Sequence, residues 1–242
     1  LINFLMICFS NAQIVNIPNA AFKSRLLSAN STNSIAKDVN GNYIDIDANN
    51  DNEIQESEAL QVKELKLIES ITVSSIEGIN SFLNLTYFEY KFNGLVNADL
   101  TALNQLNYLD IYCGTLNLGT KNNLDTLYAI HTTSITYTSA TATLKKIKSS
   151  LNLFLSINYL LKINLEEIKI QNLTMQMTDF EYSNLKYMYN LRVLDLGLTD
   201  GSDLAFTNYN PLDSPLYPQN LKTLIVRHLH PSLNYMNLNP IE

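Results

Sequence analysis

LTYFEY, residues Leu85 to Tyr90, sets the reading of this chain. Leu stands first, apolar residues stand fourth and sixth, and Tyr and Glu fill the third and fifth places. The spacing returns in LNYLDI from Leu106, LEEIKI from Leu165, LRVLDL from Leu191 and LKTLIV from Leu221. With copies at Val62, Leu124 and Leu144, the starts lie 23, 21, 18, 20, 21, 26 and 30 residues apart. Recurrence at this period marks a solenoid: one copy cannot bury its own apolar side, and stacking supplies the core. In an extended segment the fourth and sixth residues share one face, and the third and fifth share the other. The apolar pair is therefore assigned inward. The fifth copy, LKKIKS, is irregular, with Ser149 where an apolar residue belongs.

The outward face can be written as two rows. The third positions are Glu64, Tyr87, Tyr108, Thr126, Lys146, Glu167, Val193 and Thr223. The fifth positions are Lys66, Glu89, Asp110, Tyr128, Lys148, Lys169, Asp195 and Ile225. Strands ~4.8 Å apart would gather Tyr87, Glu89, Tyr108, Asp110 and Tyr128 into one patch. Tyr offers flat area with a polar tip, which suits protein or sugar partners. The alternative is that these rings only stack to support the sheet.

The longer segment SSIEGINSFLNLTYFEYKFN, Ser74 to Asn93, places "GI" ahead of the apolar pattern and Asn93 after it. It resembles the bacterial leucine-rich repeats of the internalin-like kind. The resemblance runs from about Leu60 onward and is uneven. Asn152 repeats the Asn, whereas Gly114, Thr132, Leu173 and Thr199 replace it elsewhere. It implies an α/β solenoid: an irregular leucine-rich repeat array over 61–242, with a parallel β-sheet on its concave face. A small helical and loop cap over 13–60 would precede it. In the cap, Asn19 after Pro18 is placed as a helix N-cap, with Phe22, Leu26 and Leu27 on the apolar face.

The cap carries DANNDNEIQESE, Asp47 to Glu58. Its spacing matches an EF-hand calcium loop: Asp47, Asn49, Asp51, Glu53 through its carbonyl, Gln55, and Glu58 last. Calcium takes six to eight hard oxygens in flexible geometry, and this spacing wraps them around one ion. Asn52 stands where the family has Gly; Asn tolerates left-handed backbone better than most residues. The segment is similar to acidic stretches that precede leucine-rich repeats in some exported bacterial proteins, which implies a structural Ca2+. The competing reading is a solvated acidic loop.

The first residues, LINFLMICFSNAQ, form a short apolar run ending in Ser10 and Ala12. The expectation is a signal peptide over 1–12, truncated at its start and cleaved after Ala12. Its removal leaves Cys113 as the one cysteine, so the fold needs no internal disulfide. No other run is long enough to span a membrane. The net charge is −7, concentrated between Ile35 and Leu60, and no basic stripe suits nucleic acid.

Catalytic signatures are weak. Glu89 and Asp110 approach the spacing of a glycosidase pair, but an open sheet does not desolvate a carboxylate. His228 and His230 share a face and lack a third ligand. The expectation is a secreted or cell-surface monomer that recognises a protein or glycan without catalysis. A structural spacer in a larger surface protein is the second reading, and a carbohydrate-active enzyme the third.

Overall fold

The computed structural model describes residues 13–69, 71–139, 143–150, 153, 164–171, 188–196, 220 and 222–226. The expected signal peptide, His228, His230 and the end of the chain lie outside them. Among the described residues the chain is a mostly-sheet β-solenoid. The large sheet runs Ala36–Lys37 (β1), Glu64–Leu67 (β2), Tyr87–Tyr90 (β3), Tyr108–Ile111 (β5), Thr126–Ala129 (β7), Lys146–Ser150 (β9), Glu167–Gln171 (β10), Val193–Leu196 (β11) and Thr223–Val226 (β12). β1 pairs antiparallel with β2, and every later neighbour is parallel.

The register joins like to like. Glu64, Tyr87, Tyr108, Thr126, Lys146, Glu167, Val193 and Thr223 pair in succession along one row. The row from Lys66 through Glu89, Asp110 and Tyr128 to Ile225 does the same. Inside, Leu65, Phe88, Leu109, Leu127, Ile147 and Ile168 stack as a buried column, each at most 1% exposed. Burying such side chains stabilises by about 1.5–3 kcal/mol each. A second column passes through Leu67, Tyr90, Ile111, Ala129, Ser149 and Ile170. Its misfit is Ser149, fully buried with a hydroxyl that finds no hydrogen-bond partner.

The α/β expectation is corrected in one respect. The chain is mostly sheet, and three connectors form a second parallel sheet: Asn97–Asp99 (β4), Thr115–Thr120 (β6) and Ser134–Ser139 (β8). The copies here are short, and Leu116 and Leu118 alternate with polar residues at the period of a strand. Each connector finds its hydrogen-bond partner one turn away. Ala98 and Leu116 are buried, and Ile135 packs partly against the same core.

The cap holds two helices, Ile79–Ser81 forms a 3-10 turn, and Leu153 after β9 is helical as well. Ala20–Leu27 (α1) starts on Asn19, whose Oδ1 accepts the Phe22 N–H at 2.9 Å. Phe22 and Leu26 face the core at 0% exposure. Glu56–Ala59 (α2) closes the acidic segment. The cap locks onto the solenoid at Gly78, the Gly of "GI", where φ is +100°. A Cβ there would stand 2.6 Å from Ile17 Cγ1 and 2.8 Å from the Asn16 carbonyl, so only Gly lets this segment lie so close. Arg25 adds an ion pair to Glu69 at 2.6 Å. No helix among the described residues is long and apolar enough to cross a membrane.

Candidate functional site

The five outward residues singled out from the sequence come together on β3, β5 and β7. Parallel register sets Tyr87 beside Tyr108 and Glu89 beside Asp110. The Tyr87 and Tyr108 rings stack with centroids 4.3 Å apart and planes 3° from parallel. Tyr128 meets Tyr108 edge-on at 5.8 Å and 73°. It can do so because it sits in the neighbouring row, opposite Asp110. Offset and edge-on pairs are the favoured aromatic geometries. All three rings are half-buried.

Beside the rings lies an ion-pair cluster that the sequence reading missed. Lys91 follows β3, and its Nζ reaches Glu89 Oε1 at 2.5 Å and Asp110 Oδ2 at 3.0 Å. The alternation that placed residues 87 and 89 outward also places 91 outward. That was the available signal; the bridge across to β5 was not. The Tyr87 hydroxyl donates to Glu89 Oε2 at 3.0 Å. The Lys66 ammonium lies over the Tyr87 ring, 4.9 Å from its centroid.

Burial pushes the Tyr87, Tyr108 and Tyr128 hydroxyls up, so they act as neutral donors and acceptors at physiological pH. Burial also pushes Glu89 up, but hydrogen bonds from Lys91 and Tyr87 outweigh it and hold the carboxyl below its usual range. Asp110 is more deeply buried; there desolvation outweighs Lys91, and its carboxyl titrates above the usual range. The Lys91 ammonium thus bridges the two carboxylates that suggested a glycosidase pair. What the patch offers is hydrogen bonding, ring edges and a fixed charge pattern.

The acidic loop folds around its own backbone. Asp47 accepts the N–H of Asp51 at 3.1 Å and of Asn52 at 2.9 Å. Asp51 accepts from the Glu53 N–H and from the side-chain amides of Asn49 and Gln55. Glu58 accepts from the N–H of Ala48 at 2.9 Å, Asn49 at 3.4 Å and Gln55 at 2.9 Å. Asn50 and Asn52 take positive φ, 59° and 65°. Asn52 thereby adopts the left-handed backbone that favours Gly. Glu53 turns its carboxylate to Lys23 of α1 at 2.6 Å and leaves its carbonyl as the expected ligand atom.

The donors Asp47, Asn49, Asp51 and Glu58 are all oxygen, as a hard cation requires. Among the described residues no group of three or more His, Cys, Asp or Glu side chains is arranged to hold a metal ion. No protein-family model matches this chain, and no curated protein matches its sequence.

Proposed function

We propose that this chain is an exported leucine-rich repeat module of the internalin-like kind that recognises a protein or surface glycan without catalysis. On this reading the large sheet forms the concave face, and Tyr87, Glu89, Tyr108, Asp110 and Tyr128 meet the partner. The observation that carries the reading is the ring group itself. Three tyrosines on adjacent strands lock one another and are anchored by Glu89, so little side-chain freedom is lost on binding.

The ring geometry favours a protein at this patch. A sugar stacks on an open ring face, but Tyr108 covers one face of Tyr87 and the Lys66 ammonium lies over the ring as well. Ring edges, hydroxyls and the Glu89–Lys91–Asp110 charges are left, which suit protein contact. The cap would shield the first turn of the core, with Ca2+ held by Asp47, Asn49, Asp51, Glu58 and the Glu53 carbonyl. The second reading, a spacer within a larger surface protein, has no ligand of its own.

The test compares wild type with the variant Tyr87→Ser/Tyr108→Ser/Tyr128→Ser in capture from a cell-surface protein extract. Circular dichroism at low temperature verifies folding, because these rings are half-buried. Loss of a wild-type partner in the folded variant supports the patch. Equal retention by both excludes it.

A further inference from the structure

Along the edge where the strands begin runs a groove of about 590 Å³ that the repeat pattern did not reveal. Its floor is set by Thr86, Asn107, Asp125 and Lys145, the residues immediately before β3, β5, β7 and β9. Gln105 and Asn123, from the turns leading into β5 and β7, rise beside them. Every lining side chain is polar: amides, hydroxyls, one carboxylate and one ammonium.

The floor is rigid. The Thr86 carbonyl accepts the N–H of both Asn107 and Tyr108, at 2.8 and 3.0 Å. The Asn107 carbonyl accepts those of Asp125 and Thr126, and the Asp125 carbonyl those of Lys145 and Lys146. Asn107 also donates its side-chain amide to the Asn123 carbonyl at 3.1 Å. Against this fixed frame some capacity is unused. The Gln105 and Asn123 side-chain amides make no hydrogen bond among the described residues. Lys145 and Asp125 stand 3.7 Å apart, too far for a direct hydrogen bond and close enough for a bridging hydroxyl.

We propose that this groove binds a neutral oligosaccharide. The lining exposes side-chain carbon as well as polar tips, which suits the mixed CH and hydroxyl surface of a sugar. The centre of a protein interface is enriched in aromatic and large apolar side chains, and none lines this groove. The one acidic and one basic side chain cancel, so neither a polyanion nor a polycation is drawn in. Side-chain amides carry paired donor and acceptor sites, and the Asp125 carboxylate adds acceptors, which together match vicinal hydroxyls. The rungs recur at one strand spacing, ~4.8 Å, close to the length of a pyranose ring, so successive sugars meet successive rungs. The site is separate from the tyrosine patch and stands whether or not that patch binds anything.

The experiment is calorimetric titration of the whole chain with cellohexaose, laminarihexaose, mannohexaose and, as a charged probe, hexagalacturonate. The expected result is a Kd in the millimolar range or tighter for at least one neutral hexasaccharide. Gln105→Ala/Asn123→Ala, both exposed, should weaken it by about tenfold or more at unchanged circular dichroism. The triple tyrosine variant should bind the sugar as wild type does. No binding of any neutral probe at about 10 mM overturns the proposal. So does binding of hexagalacturonate alone, or binding that survives Gln105→Ala/Asn123→Ala.

Discussion

Glu58 tests whether the cap is held by its own backbone or by an ion. Replacing it with Ala removes the acceptor for three N–H groups, of Ala48, Asn49 and Gln55. Gln55 is 5% exposed, so its N–H would be left unsatisfied inside the protein. An orphaned buried donor costs about 1–3 kcal/mol. Ala48 is exposed, and water partly replaces its lost bond, which leaves about 1 kcal/mol. The Asn49 contact is long and adds little. The sum is a loss of about 2–4 kcal/mol, and Glu58→Gln, which keeps one acceptor oxygen, should lose roughly half of that. The assay is urea denaturation followed by far-ultraviolet circular dichroism, run in chelator and again with millimolar calcium. In chelator, Glu58→Ala within about 0.5 kcal/mol of wild type would refute the backbone argument. Calcium at a hundredfold its Kd should stabilise wild type by about 2.7 kcal/mol and leave Glu58→Ala unmoved. No gain in wild type would instead sink the metal proposal and leave the loop closed by hydrogen bonds alone.

Three further outcomes follow from the geometry. Lys121 is 2% exposed, and its ammonium donates to the Leu100 carbonyl at 2.9 Å and to the Leu118 carbonyl, tying the segment after β4 to β6. Burial pushes its pKa down to about 8, so it stays charged at pH 7; Lys121→Met should cost about 2–4 kcal/mol by urea denaturation at that pH. Ser149→Ala should be neutral or stabilising by about 1 kcal/mol in the same measurement, because it removes a buried hydroxyl without a partner. Glu89 has a lowered carboxyl, so it contributes stability above the unfolded pKa that is lost as pH falls through the folded one. Lys91→Met leaves burial as the main influence; carbon-detected NMR titration should then show the Glu89 midpoint rising above its wild-type value, and an unmoved midpoint would refute the bridge.

The parallel strands of the large sheet, from β2 on, were legible because their signal is local. Alternation within each copy divides Phe88 and Tyr90 from Tyr87 and Glu89, and aligning the same pattern from copy to copy sets the register before any contact is known. The helix cap at Asn19 and the positive φ of Asn52 were legible for the same reason: each depends on a residue's own backbone preference. The three connectors that became a second sheet were not legible as such. β4, β6 and β8 are strands because a neighbouring turn supplies their hydrogen bonds, and no window of sequence contains that neighbour. Lys91 follows the outward alternation, yet its role depends on Asp110 from the next turn. The rim groove gathers residues from successive copies that share no motif. The amino-acid sequence by itself determined which side of each strand faces the core. Only the stacking of turns decided which outward groups meet, because those contacts join residues about one repeat apart.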